Sequence, residues 1–341
     1  MIWVGWRQHR AALIGGGAVL AALIAFLVIS GRELRSTFER LGLDRCNAPI
    51  ADACPEAVSQ FERATTGGTR LVVPLVLAVP ALVGIFWGAP LIARELEQGT
   101  HRFAWTQSVT RRRWFFTKVG LLVAATVVGS LLLTLALNWW AAPLNDARPQ
   151  QFEAGMFDLL GLAPLGYGVL ALALGVAAGT FTRRLVPALA ITLVLFLGVR
   201  VGTVMVLRPH YMAPVHTTVA FPGGEGSDGG RLQTPALPSD IGWGIAIRTI
   251  SSQGQVMSDG VGLDYDAVIT ACPEAATAPA NPALAEAATA ACVRRLGLYV
   301  DAVYQPADRF WRFQATEAGL NLAFAAACLG ASVWWLQRRR A

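Results

Sequence analysis

Charge is what this sequence has least of. Only 15% of its 341 residues are Asp, Glu, Lys or Arg, where a soluble domain carries about 25%. Lys118 is the only lysine among 28 basic residues; the others are arginine. That scarcity bears on nucleotide chemistry. A P-loop is a glycine-rich turn ending in a lysine that reaches the phosphates, and Lys118 follows Phe116-Thr117 instead. No Gly-x-Ser-x-Gly elbow presents a nucleophilic serine. The four histidines, His9, His101, His210 and His216, do not make a two-histidine zinc helix, so no metal site is expected. No apolar run holds the series of acids, bases and histidines that a proton relay needs. An enzyme is therefore not expected, and no cofactor is expected in this chain.

Apolar length is what the sequence has in abundance. It is 54% hydrophobic, with a mean hydropathy of +0.48. Several runs reach the roughly 20 residues that cross a bilayer. They fall at about Ala11–Ser30, Leu71–Ala93, Val119–Ala142, Leu159–Phe181, Leu185–Leu207 and Gln314–Leu336. The fold class expected is an all-α polytopic membrane protein with six transmembrane helices. The first run exceeds the roughly 7–15 apolar residues of a signal peptide, and five more follow it, so cleavage is not expected. Before it, Trp3, Trp6, Arg7, His9 and Arg10 suit an interfacial lead-in. Pro74, Pro80 and Pro90 interrupt the second run, and Gly84 and Gly88 give it a small face. Gly161, Gly168, Gly175 and Gly179 fall on one stripe of the fourth, suited to close helix contact. Arg200 lies near the end of the fifth; it either snorkels to headgroups or pairs inside the bundle.

Basic residues mark the cytoplasmic side of short loops. With both termini inside, the inner segments hold Arg7, Arg10, Arg94, Arg102, Arg111, Arg112, Arg113, Lys118, Arg183, Arg184 and Arg338 to Arg340, against only Glu95 and Glu97. Acids are in excess over the remainder. The net charge of +6 thus follows from an N-in, C-in topology, and no nucleic-acid partner is implied. Residues 31–70 become an outer loop, in which Cys46 and Cys54 are either disulfide-bonded or two free thiols. Three parts follow: residues 1–207 with five spans, an extracytoplasmic segment 208–313, and 314–341 with the last span. The middle segment reads as a small mixed α/β domain, with strands at Ile241–Ile250, Val261–Ile269 and Leu298–Tyr304 and a helix at Pro282–Leu296. Cys272 and Cys292 flank its alanine-rich part, a spacing that leaves their pairing open.

The stretch 94–118, RELEQGTHRFAWTQSVTRRRWFFTK, stands apart. It is the inner loop of the hairpin between spans 2 and 3. Gly99 can end one helix and Thr100 can cap a short new one, presenting His101, Phe103 and Trp105. Arg111, Arg112, Arg113 and Lys118 then serve as inner-interface anchors. The acids Glu95 and Glu97 are unusual in an inner loop and read as facing a partner; a plain capped hairpin is the other reading. Near the far ends of spans 5 and 6, Arg200, Glu317 and Asn321 are candidates for a polar outer gate. Trp139, Trp140, Phe310, Trp311 and Phe313 either anchor the outer interface or line a vestibule for amphipathic cargo.

Glu95-x-Glu97-x-Gly99-Thr100 and the basic run to Lys118 resemble the loop between the second and third spans of ABC-2 type ABC transporter permeases. The segments GAPLIARELEQGTHRFAWTQSVTRRRWFFTK and YQPADRFWRFQATEAG look like an actinobacterial group of these. The resemblance implies a coupling loop, with Glu95, Glu97, Gly99 and Thr100 at its positions, docking on a separate ATPase subunit that carries ATP and magnesium. It also implies a dimer, with a second copy or a sister permease, in the cell membrane. The function expected is the permease of an exporter. The alternative is a sensor or scaffold that binds a ligand through residues 208–313 and transports nothing.

Overall fold

The computed structural model describes residues 2–47, 50–99, 110–153, 155–220, 237–238, 241–261, 264–273, 291–292 and 294–338. Two compact units form: Met1–Tyr211 with Trp311–Ala341, and Met212–Phe310.

The first unit is helical. In chain order it holds α1 (Ile2–Arg40), a short α2 (Ile50–Ala53), α3 (Pro55–Val83), α4 (Ala89–Glu97), α5 (Arg111–Ala147), a short α6 (Met156–Leu159), α7 (Ala163–Thr182) and α8 (Leu185–Gly202). Its last helix, α10 (Phe310–Arg338), follows the second unit. Among the described residues six helices are long and apolar enough to cross a membrane: Arg10–Arg40, Pro55–Glu97, Arg112–Ala147, Ala163–Thr182, Leu185–His210 and Ala307–Arg338. They are spans 1 to 6, as the hydropathy reading expected.

Residues 31–70 are not the loop expected. Helix α1 continues through them to Arg40, and α3 begins at Pro55, so both spans extend well past their apolar runs. Charged residues there keep helical hydrogen bonds while facing outward, and Pro55 stands where a helix tolerates proline, at its first position. A disulfide between Cys46 and Cys54, with Cα atoms 6.3 Å apart, closes the turn between the two helices.

Span 4 is the hub. Of its most apolar window 83% is buried, against 6% in span 1. It packs on span 2 through glycines. A Cβ at Gly84 would lie 2.6 Å from the Ala171 carbonyl oxygen, and one at Gly179 would lie 2.6 Å from that of Ala89. Backbones this close are the membrane substitute for hydrophobic driving force. Between Val83 and Ala89 the helix widens to a π turn, Gly84–Gly88. The Ala89 N–H reaches back five residues to the Gly84 oxygen, just before Pro90, which has no N–H to continue an α ladder. Gly161 is not on the helical stripe. It precedes α7 with φ 61° and sits against Gln314.

Span 5 carries a second π turn, Thr203–Leu207, then a 3₁₀ turn, Arg208–His210. The vestibule residues divide. Trp140 and Phe313 are fully buried packing residues, whereas Trp139 and Trp311 are exposed.

The second unit is an antiparallel sheet of β1 (Val215–Ala220), β2 (Ile241–Ile250), β3 (Val256–Asp259) and β4 (Tyr299–Pro306), in the order β1-β4-β2-β3. The expected strand at Val261–Ile269 is absent. Its place is taken by α9 (Tyr265–Ala271), which begins where the Asp264 carboxylate accepts the Asp266 N–H at 3.1 Å, a local bond that favours a helical turn over a strand. A Cys272–Cys292 disulfide packs with Met257 and Leu298 against the sheet. Most of the expected helix Pro282–Leu296 lies outside the described residues.

Candidate functional site

The hairpin joining spans 2 and 3 carries both of its acids at its span 2 end. Helix α4 runs to Glu97, and Gln98 closes its last turn onto the Arg94 carbonyl. Gly99 takes a left-handed φ of 72°, the backbone state glycine adopts without strain as a helix ends. On the other side Thr110 caps α5 by accepting the Arg113 N–H at 3.3 Å. Thr100, Phe103 and Trp105 lie outside the described residues.

Glu95 turns inward. Its carboxylate pairs with the Lys118 ammonium, and both side chains are nearly buried. Lys118 also lies 5.0 Å from the centre of the Trp114 ring. Lys118 is therefore tied to its own hairpin, where the sequence had it as an interface anchor. Arg112 has a different contact, reaching the Gln337 side chain at 3.5 Å. Glu97 is exposed, and its Oε2 accepts the backbone N–H of Leu185 at 2.9 Å. Leu185 is the first residue of α8, so Glu97 places an acceptor and a negative charge on an otherwise unpaired helix start. The acids read as partner-facing thus also have partners within the chain.

Near the other ends of the spans lies a buried cluster of four charges. Asp158, on α6, meets Arg200 at 2.9 Å and also pairs with Arg208. Arg208 continues to Glu317 on span 6, its Nε donating to Oε2 at 2.9 Å and its Nη2 to Oε1 at 2.7 Å. Tyr167 of span 4 donates to Glu317 Oε1 at 2.8 Å. Its ring carries the Arg200 guanidinium 4.6 Å above its centre. Two cations face two anions, so the cluster is neutral, the condition under which charges persist in a low-dielectric interior. Tyr211 adds a longer hydrogen bond to Glu317, 3.4 Å. Burial pushes the Tyr211 phenol above its ordinary pKa, and the Glu317 carboxylate adds to the shift.

Gln314 locks the neighbouring turn. Its carbonyl oxygen accepts from the N–H groups of Leu162 and Ala163 at 2.9 and 2.8 Å, and its amide donates to the Phe157 carbonyl at 2.7 Å. Both acids therefore sit on one block made of α6, span 4 and span 6, and both arginines on span 5. A cavity of about 30 Å³ adjoins the cluster, walled by Asp158, Tyr167, Arg200, Ser130, Pro80 and Gly168 among others. A water molecule fits such a space.

Of the three residues proposed from sequence for an outer gate, Arg200 and Glu317 are joined through Asp158 and Arg208 and also through Tyr167. Asn321 is buried one turn from Glu317, its amide nitrogen lacking a hydrogen-bond partner. Sequence reasoning missed Arg208, Asp158 and Gln314. Arg208 was given to the segment after span 5 and Asp158 to a loop, because neither falls within an apolar run. Among the described residues no group of acids, histidines and cysteines is placed to hold a metal.

Six membrane-capable helices, a charged hairpin and a neutral buried ion cluster define a multi-pass membrane protein. The family model described as ABC-2 membrane transporter related matches residues 17–208, more than half of the chain, and the chain belongs to that family. It is an ABC-2 type permease, a membrane transport component of an ABC transporter. Neither a curated protein nor a solved structure matches it.

Proposed function

We propose that this permease is the membrane-spanning subunit of an exporter, driven by a separate ATPase that docks on the loop between spans 2 and 3. The observation that carries the reading is family membership over the stretch that includes this loop. The charge pattern supports its cytoplasmic placement and an N-in, C-in arrangement in the cell membrane. Loop residues 94–118 receive the ATPase, with Phe103 and Trp105 as apolar contacts beside Glu95, Glu97, Gly99 and Thr100. ATP and magnesium belong to the ATPase subunit. Two permease chains, identical or sister, enclose the path. The segment between spans 5 and 6, residues 211–306, lies outside the membrane.

The test is co-purification with a candidate ABC ATPase subunit. Phe103→Asp and Trp105→Asp abolish the complex while the permease keeps its level in the membrane. A complex that survives both changes rules out this loop as the docking site. ATP-dependent uptake of an amphipathic dye into inverted vesicles, present with the pair and absent with either subunit alone, establishes export.

A further inference from the structure

Span 5 is held in an unusual way. Along α8 only Ala188, Thr192 and Phe196 are buried, while Val186, Val194 and Val201, and Met205 in the π turn beyond, are exposed by half or more. Polar links fasten both of its ends. At one end the Leu185 N–H is held by Glu97 of the loop hairpin. At the other, Arg200 and Arg208 grip the acid-bearing block of α6 and span 6. Between them Ala188 packs with Ala89, Ala93 and Ala178, so the first turn of span 5 rides on the helix that leads into the loop. An α-helix of 18 residues is a stiff rod of about 27 Å, close to the thickness of the hydrocarbon core. The π turn Thr203–Leu207 lies between the two arginines, just before the 3₁₀ turn that holds Arg208; π turns often mark functional positions.

We infer that span 5 is the strut that carries movement of the ATPase-docking loop to the charge cluster. Glu97 is the positioning residue at its near end and Arg208 the latch at its far end. The inference rests on the docking proposed above and adds the route. A push on α4 moves Glu97, and with it the first amide of span 5. The rod passes the displacement along its length. The π turn lets the tip bearing Arg208 change its angle against Asp158 and Glu317. Each arginine then has an acid to return to, and the cluster as a whole stays neutral.

Leu185→Pro isolates the near link. It deletes the donated N–H, leaves the Glu97 carboxylate untouched, and puts proline at a helix start, where it is tolerated. Arg184 already has the extended backbone, φ −131° and ψ 137°, that a residue before proline adopts. The Arg208 latch is removed without stranding a charge by Arg208→Met with Glu317→Leu, which leaves the Arg200–Asp158 pair in place. Spin labels go at Met205→Cys and Leu320→Cys, both exposed positions, with Cys328→Ala removing the free thiol. Distances are read by pulsed electron resonance in the full permease–ATPase complex, with and without a non-hydrolysable ATP analogue.

The parent complex shows a nucleotide-dependent distance change. Leu185→Pro loses at least half of it with the ATPase still bound, and the far-end pair does the same. A full change in both variants overturns the strut, as does a parent complex that forms but shows no change. Failure of the parent to bind an ATPase overturns the docking reading and the strut together. Either variant can decide the matter if the other does not accumulate.

Discussion

Arg200 and Arg208 reach the same carboxylate, that of Asp158, although eight residues separate them. On a regular α-helix, at 3.6 residues per turn, positions eight apart differ by about 80° in direction. The π turn between them, in which the Arg208 N–H bonds to the Thr203 oxygen five residues back, winds less per residue and brings the two side chains onto one face. Asp158 is thus shared by two cations, and Glu317 supplies the second anion.

The energetics of that cluster set the first prediction. Arg208→Met leaves Glu317 without its counter-charge in a buried site and costs about 3–5 kcal/mol, the usual penalty for breaking a buried pair. Arg208→Met with Glu317→Leu recovers most of the loss, because Arg200 and Asp158 remain a neutral pair. Thermal unfolding in detergent measures both. The coupling energy of Arg208 with Glu317 exceeds that of Arg200 with Glu317; the reverse order would contradict the connectivity described.

What was legible in the sequence follows from these elements. The six spans were, because an apolar run of bilayer length has few other uses. So were strand β2 and the general place of β4. The helical extensions to Arg40 and from Pro55 were not, since charged residues there break the apolar runs by which the spans were drawn, and the buried positions Leu34, Val58 and Phe61 are sparse among them. Of the ion cluster, Arg200 and Glu317 were singled out in the sequence, but Asp158, Arg208 and the way the four charges connect were not, for a different reason. Asp158, Arg208 and Glu317 come from three separate elements, and the π turn that aligns the arginines has no signature in residue type. Glu95 and Glu97 stood out in the sequence as acids within a basic loop. Their partners, Lys118 and the Leu185 amide, are tertiary facts.

Glycine contacts give the second prediction. A Cβ at Gly175 would lie 2.7 Å from the Ala89 nitrogen and 2.9 Å from the Gly88 carbonyl carbon, backbone atoms that cannot step aside. Gly175→Ala therefore destabilises the bundle by about 1–3 kcal/mol, as overpacking does. Gly198 and Gly202 face open space within the chain. Gly198→Leu and Gly202→Leu leave the unfolding temperature of the single chain unchanged. If these glycines meet the second permease of the proposed dimer, the same changes lower the dimer fraction in native mass spectra.

Thiol counting supplies the third. Of five cysteines only Cys328 is free among the described residues. Unfolded but unreduced protein takes up one alkylating group, and reduction exposes the other four thiols. Both disulfides fall in stretches that the charge pattern places outside the cytoplasm, where such bonds persist. Single thiol uptake also identifies the compartment: protein retained in a reducing cytosol takes up all five groups before any reductant is added.

The fourth prediction separates the two roles of the loop acids. Lys118→Met removes the Lys118 ammonium from its pair with the nearly buried Glu95 carboxylate, so stability falls, by up to about 3–5 kcal/mol. Lys118→Met with Glu95→Met removes both charges and restores most of that loss, since apolar residues of similar size replace a buried ion pair at little cost. ATPase binding need not follow stability. If Glu95 serves only to close the hairpin on span 3, the double variant regains the ATPase complex along with its unfolding temperature. If Glu95 also contacts the ATPase, the double variant is stable and still fails to bind. Unfolding temperature and co-purification, measured on the same three proteins, tell these outcomes apart. Glu97 provides the comparison. It is exposed and caps span 5, so Glu97→Gln keeps an acceptor for the Leu185 N–H and loses only the charge. Stability then changes by less than about 1 kcal/mol, the scale of a surface charge at a helix start, and any larger loss of ATPase binding belongs to the partner.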